Sequence, residues 1–585
     1  MAINPLLGSM LTIVCLLVGS GKAIALDKIN PTATSSQNTP QSLVDQGRLA
    51  YQSGRYREAK RLWQQSYQEA QLQKNTPVQA QTLNYLALTS QKLGDATAAE
   101  EYLAQSRELL QNLSDVSSLN IKAQTMNTQG KLEFATGQTE EALTSWQEAA
   151  RIYQQAGDKI GALGVEINQA QVWQSLGLYR RAQKALQKIA TKLETQSDAT
   201  LKITGLRSLG IALQVTGDLQ AAQEMLHQSL ALSQELNLSE ESSKTLFSLG
   251  NTALADADQT QAIIYYQQAV ATTAQPIIKT EAQLNQLGLL ITTEQWQPAI
   301  ELLPQIQTEL ANLTSIPSRR VVYAQVNLAK QLIELANRTG NQQYFTQTQD
   351  LLKTSIQQAE KLEDPQAKSY TLGMLGHLYE ADQQLALGRK YTQKAVQLAQ
   401  VINNSDLTYQ WQWQLGRLLK ADGNQQGAVA SYTEAVNALE ALRSDLAFTN
   451  SNLQFSFREK VEPVYRELVS LLLTSVNDQP VSQDNLLQAR NTIESLQLAE
   501  LNNFFREACL DVTPTAIDEL DRQAAVIYPI ILRDRLEVIV SLPNKSLKHY
   551  SQLIPQAELE SVIEELRQTL QIRSRRKFYQ PAQKL

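Results

Sequence analysis

From about Gln41 to Leu442, apolar side chains recur at intervals of three and four, the spacing that gives a helix one buried stripe and one wet face. The stretch Leu407–Glu440 shows the pattern at close range. Trp411, Leu415, Leu418 and Leu419 mark a first helix, Asp422-Gly423-Asn424 breaks it, and Ala428, Tyr432 and Ala435 mark a second. Glycine at the break takes the left-handed conformation that ends a helix at little cost. Gly416 removes the Cβ that would hold the two backbones apart. Ala428 and Ala435 keep the helices close, and Tyr432 fills the space between them. The expected unit is a hairpin of two short helices.

That unit repeats. Gly54, Gly94, Gly137, Gly177 and Gly217 are spaced by 40, 43, 40 and 40 positions. Each is followed five residues later by an alanine, Ala59, Ala99, Ala142, Ala182 and Ala222. Each is preceded by seven residues by Gly47, Ala87, Gly130, Ala170 or Gly210. Two further copies are Gly250–Ala257–Ala262 and Gly416–Gly423–Ala428. Weaker copies surround Trp296-Gln297-Pro298-Ala299, Leu328-Ala329, and Leu375-Gly376-His377-Leu378-Tyr379 with Ala395. A fixed period of this length marks a solenoid, whose units bury their apolar faces against their neighbours. The units Gly47–Trp63, Ala87–Leu103, Gly130–Trp146, Ala170–Leu186, Gly210–Leu226, Gly250–Tyr266 and Gly416–Tyr432 resemble the tetratricopeptide repeat. The period here exceeds the family's usual length of about 34, and the family's closing proline is mostly absent. The resemblance implies an all-α superhelical solenoid of about ten hairpins. It further implies a concave face lined by first helices, where Asn84, Asn127, Lys131, Arg207, Asn251, His377 and Arg417 are the candidate partner groove.

Beyond the array the pattern changes. Ser444–Ser475 and Leu486–Cys509 read as helical. Ala524–Leu532 and Leu536–Leu542 read as strands joined at Arg533-Asp534, with a third short strand at Lys545–Tyr550. A helix at Gln556–Leu570 follows, carrying Leu559, Val562, Ile563 and Leu566 on one face. Gln454–Arg458, Val461–Arg466, Glu494–Cys509, Ala524–Leu542 and His549-Tyr550 resemble the opening of the CHAT domain, a caspase-like module that follows such arrays in many cyanobacterial proteins. In that family a catalytic His and then a Cys lie downstream, beyond Leu585, so none of its catalytic roles maps onto this sequence. So small an α/β segment leaves an open sheet edge and apolar surface, and residues 520–585 are expected to be marginal without a partner.

Composition refines the picture without redirecting it. A formal charge of −6 over 585 residues gives no support for a nucleic-acid binder. Leu6–Val18 with Ala23-Ile24-Ala25 reads as an export signal, which implies a periplasmic or extracellular protein, or a cytoplasmic one if the start codon is misplaced. A membrane association is expected only if that segment stays uncleaved. Cys15 and Cys509 are the two cysteines, and loss of the leader leaves no disulfide. Cys509 and His549 suggest a nucleophilic dyad, but Cys509 closes a helix, no group orients the imidazole, and a surface histidine is expected. His227, His377 and His549 lack metal-ligand spacing. Arg573–Lys577 is a basic run read as a solvated helix end or an uncovered interior edge of the α/β segment, with contact to nucleic acid or anionic lipid the other reading.

The domains expected are a leader at 1–25, a linker at 26–40, the solenoid at 41–442, a helical linker at 443–519 and the α/β start at 520–585. No catalytic, cofactor-binding or metal residues are assigned. The function expected is a non-enzymatic scaffold for a peptide or protein. The alternative is the N-terminal part of a split or truncated CHAT cysteine protease, active only with a missing half.

Overall fold

A computed structural model describes residues 39–571, except 136–137, 176–178, 196, 198, 216, 315–316, 447–460, 476–479, 506–524 and 544–545. The leader, Gly137 and Gly177 of the ladder, Gln454–Arg458, Cys509 and the basic end therefore lie outside the described residues. Within them the array forms ten helical hairpins. These are α1 Pro40–Gln52 with α2 Tyr56–Leu72, α3 Thr76–Lys92 with α4 Ala96–Leu110, α5 Val116–Ala135 with α6 Thr139–Ala156, α7 Lys159–Ser175 with α8 Tyr179–Glu194, and α9 Ala199–Val215 with α10 Leu219–Glu235. There follow α11 Ser239–Ala255 with α12 Gln259–Thr272, α13 Pro276–Thr292 with α14 Trp296–Leu313, α15 Arg319–Thr339 with α16 Gln343–Lys361, α17 Pro365–Ala381 with α18 Leu385–Val401, and α19 Ser405–Ala421 with α20 Gln425–Leu446.

Local chemistry sets these boundaries. Asn75, Asp95, Asp218, Asp258, Ser318, Asp364 and Asn404 each cap a helix by accepting from a backbone N–H three residues on. Gly54, Gly94, Gly217 and Gly423 supply positive φ at the turn inside their hairpins. Within hairpins 1, 2 and 5 a buried serine of the second helix donates to a carbonyl of the first: Ser66 to Pro40, Ser106 to Ala80, Ser229 to Ile203, at 2.8, 3.0 and 2.9 Å.

The crossing residues match in size. Where glycine stands at the crossing, a buried aromatic usually lies opposite: Gly47 with Trp63, Gly130 with Trp146, Gly250 with Tyr266, Gly416 with Tyr432. A Cβ on Gly416 would sit 2.6 Å from the Tyr432 ring. Where alanine stands there, the partner is leucine: Ala87 with Leu103 and Ala170 with Leu186, all buried. Gly210 faces Leu226 and Gly376 faces Thr392, and both break the rule.

Neighbour-only packing does not describe the whole array. Arg57 Nε donates to the Glu363 carbonyl at 3.1 Å, and the Arg319 N–H donates to the Gly54 carbonyl at 3.1 Å. The turns inside hairpins 1 and 2 thus meet the connections leading into hairpins 8, 9 and 10. The array curves through about one superhelical turn and touches itself edge to edge.

After α20, α21 (Glu462–Leu472) occupies the place of a further first helix, burying Val464, Tyr465, Leu468 and Val469, and α22 (Gln483–Phe505) packs beside it. Strands β1 Val526–Ile531, β2 Arg535–Ser541 and β3 Leu547–Leu553 form an antiparallel meander in sequence order, followed by α23, Gln556–Gln571. The sheet is not left on its own. Tyr528 donates to Glu494 at 2.7 Å, Arg466 to the Ile531 carbonyl at 2.9 Å, and Gln483 exchanges two hydrogen bonds with the Leu547 backbone. One sheet face, with Ile530 and Ile539, is buried. Ile527 and Tyr550 on the other face remain exposed, as does Leu553 at the end of β3. On α23, Leu559 is buried but Ile563 is exposed, so the expected four-residue stripe is only partly covered.

Candidate functional site

The first helix of each hairpin adjoins the first helix of the next, which makes these helices the inner wall of the curve. Polar residues one repeat apart meet along it. Asn168 donates to Asn127 Oδ1 at 3.2 Å, Arg320 grips Glu281 through two bonds at 3.0 and 2.7 Å, and Arg417 grips Glu380 through two at 2.8 and 2.9 Å. Arg207 pairs with Glu241. Longer contacts join Asn84 to the Ile121 carbonyl, Asn285 to Asn251, and Tyr370 to Asn327, at 3.4, 3.5 and 3.4 Å. At the last hairpin, Trp413 Nε1 and the Tyr432 hydroxyl both donate to Glu467 of α21, at 2.9 and 2.7 Å.

The seven residues singled out from sequence all fall on this wall, but most of their polar atoms are already engaged. Asn84, Asn127 and Arg207 are buried. Asn127 Oδ1 also accepts from Trp146 Nε1 at 3.0 Å, and Asn251 Oδ1 accepts from Tyr266 at 2.7 Å. The Lys131 carbonyl accepts from Gln91 at 3.4 Å. His377 Nδ1 lies 3.4 Å from Glu380, and the Arg417 guanidinium stacks over Trp413 at 4.9 Å. The acidic and amide partners, Glu241, Glu380, Glu467, Asn168 and Asn285, were not legible as single positions. A signal existed: a polar residue on one first helix is matched by another one period along.

Electrostatics follows from this pairing. Burial alone would raise the Glu380 carboxyl, but hydrogen bonds from His377 and Arg417, with the Arg417 charge, hold it down at about 2. Burial acts on Glu241 in the same way and is likewise outweighed by Arg207 and Lys244, so its pKa is lowered. Lys330 follows Ala329 as Lys131 follows Gly130 and Arg417 follows Gly416, which places it on the same wall. It has no hydrogen-bond or ion-pair partner among the described residues, and burial pushes its ammonium down to about 8, partly offset by Glu334.

Such a wall offers donors and acceptors along a curve. Among the described residues no cluster of His, Cys, Asp and Glu could hold a metal, and no helix is long and apolar enough to cross a membrane. His549 is not a free surface histidine. Its Nε2 lies 2.8 Å from Glu537, a carboxylate buried in the sheet that also accepts from Arg535 at 2.5 Å.

Compared with known proteins, residues 202–275 match the tetratricopeptide repeat family. No curated protein matches the chain. Among solved structures, it is similar to the human IFIT1 dimer with PPP-AAAA (12% identity, 74% of this chain and 89% of that one, TM-score 0.39). It is similar also to the apo form of the quorum sensor NprR from B. thuringiensis (13% identity, 68% and 98%, TM-score 0.35). A third is a Rap protein complexed with competence and sporulation factor (14% identity, 62% and 99%, TM-score 0.33).

Proposed function

We propose that this chain is a protein-interaction scaffold that holds an extended peptide segment of a partner protein against its inner wall, without catalysis of its own. The polar ladder carries the reading. A wall that pairs its own side chains every repeat is pre-organised, so a bound segment meets fixed donors and acceptors and the entropy cost of ordering them is already met in folding. Lys330 and Lys131 add positive charge to that wall.

Photo-crosslinkers placed at Lys131 and Lys330 in the full chain, followed by capture from cells of the source organism, test this. Cross-links to one protein from both positions are expected. Cross-links confined to probes on the outer helices, such as Gln268 or Gln305, would refute it.

The three-stranded meander docked on α21 and α22 supports reading residues 520–585 as the start of a CHAT-like module. In that second reading the chain supplies a scaffold and a separate chain supplies the protease chemistry. For location, Leu6–Val18 and Ala23-Ile24-Ala25 support export.

A further inference from the structure

The self-contact of the array is built around one buried cation. Arg319 opens α15, and its guanidinium is almost fully buried. Nη2 donates to Asp364 at 2.7 Å and to the Lys92 carbonyl at 2.7 Å, Nε donates to the other Asp364 oxygen, and Nη1 donates to Gln366 at 3.0 Å. The charge also sits 4.6 Å over the Tyr56 ring. So one side chain ties the connection before α17, on its own edge, to the end of α3 and the start of α2 on the other edge, with Lys92 and Arg319 separated by 227 positions in sequence.

The backbones approach as closely. Gly54 and Gly94 have φ of +76° and +83°, and neither carries the Cβ that would intrude on the seam. A Cβ on Gly54 would lie 3.2 Å from the Arg319 nitrogen, and one on Gly94 would lie 2.9 Å from Ile402 Cβ. Arg57 and Glu363 add an exposed ion pair at 3.7 Å. The geometry is specific. The edge formed by turns inside hairpins 1 and 2 meets the edge formed by connections entering hairpins 8, 9 and 10, which is how successive turns of a superhelical ribbon stack.

We infer that this seam is a latch: with Arg319 seated, the ribbon is closed on itself and its inner wall is reached through the ends, and release of Arg319 opens the wall from the side. Two features fit a separable joint over a permanent core. The seam consists mainly of loops and polar groups, with Ile402 and the Tyr56 ring its apolar contacts. The Arg319 side chain crosses it through a hydrogen bond to the Lys92 carbonyl and the ring contact, its ion pair with Asp364 lying on its own edge.

Lys330 gives an assay that needs no ligand. Lys330 sits on α15 and is only partly buried, and burial lowers its ammonium to about 8, so near that pH a substantial fraction of the amine is in the neutral form that N-hydroxysuccinimide esters acylate. A small acetyl ester is expected to modify it in every form of the full chain. A polyethylene-glycol-bearing ester is expected to modify it several-fold faster in Arg319→Gln and in Ile402→Asp than in the wild type, with a larger maximum dimension in X-ray scattering. Linking Arg57→Cys to Glu363→Cys with a short bis-maleimide, in a Cys15→Ser/Cys509→Ser background, should suppress the bulky reaction. Ile402→Asp perturbs the seam without removing the buried cation's partner, and circular dichroism checks that both variants fold. Equal bulky labelling and unchanged dimensions in both variants would overturn the latch. The outcome is independent of whether a peptide binds the wall.

Discussion

Replacing Gly250 by alanine sets two effects of opposite sign against each other. In a helix interior, alanine is favoured over glycine by about 1 kcal/mol. At this crossing, however, the new methyl would lie 2.5, 2.7 and 3.0 Å from three atoms of the Tyr266 ring, which is fully buried and held by its hydroxyl bond to Asn251. Overpacking of a tight core costs about 1–3 kcal/mol, and a ring pinned at both ends belongs at the upper end of that range. A net loss of about 1–2 kcal/mol is expected for Gly250→Ala. Tyr266→Leu alone should cost about 2–3 kcal/mol through the space it leaves and the donor Asn251 loses. With leucine in place the obstruction is gone, and Gly250→Ala should now stabilise by up to about 1 kcal/mol. The same chain already uses that combination, at Ala87 with Leu103 and at Ala170 with Leu186. The expected result is a sign reversal, a coupling of about 2–3 kcal/mol. Stacked repeats need not unfold all at once, so urea titrations should be joined by amide exchange of α11 and α12. Equal effects of Gly250→Ala in both backgrounds would show that ring and glycine do not determine each other.

Three further outcomes are expected. Gln283 is buried, with Oε1 unpartnered among the described residues, at the offset where hairpins 1, 2, 5 and 6 place Leu43, Leu83, Leu206 and Leu246. Gln283→Leu should therefore stabilise by about 1–3 kcal/mol, read as a rise in Tm; a fall would show that the amide is satisfied by solvent. Glu380 has a depressed carboxyl, so its contribution is complete above the unfolded value of 4.5 and is lost as pH falls from there through about 2. At 1.36 kcal/mol per pKa unit this amounts to about 3 kcal/mol, and Glu380→Gln should flatten the acid limb of stability measured by urea titration; an unchanged limb would refute the pairing. Raising the pH from about 8 to about 10 should also stabilise the fold, by about 2 kcal/mol at 1.36 kcal/mol per pKa unit, because Lys330 binds its proton more weakly folded than unfolded, and Lys330→Met should abolish that slope.

How much of this could be read in the sequence depended on distance along the chain. Helices, turns and crossings rest on contacts within one period, so Gly54, Gly94 and the Gly–aromatic pairs showed themselves as a rhythm. The meander was legible for the same reason, since Arg533-Asp534 joins strands that pair locally. The wall was half legible: seven positions on its first helices were singled out, but not that Arg207 pairs with Glu241 or Arg417 with Glu380, because a pairing across repeats leaves a signal only when both members are read together. Arg319 left none. Its partners at Tyr56 and Lys92 follow from the curvature summed over six or seven hairpins, and no local pattern encodes that sum; Asp364, one repeat along, is a neighbour pairing of the same kind as Arg417 with Glu380. Glu537 and His549 were missed because they meet diagonally across β2 and β3, in a register where Ile539 stands opposite His549.

Glu467 decides where the array can be cut. Since it accepts from both Trp413 and Tyr432, a fragment ending at Leu446 would lose the plug of its final hairpin and uncover aromatic surface. Expression boundaries set by the repeat count alone would thus produce a sticky protein, whereas boundaries beyond α22, or beyond the sheet that α21 and α22 hold, would keep the terminal unit sheathed.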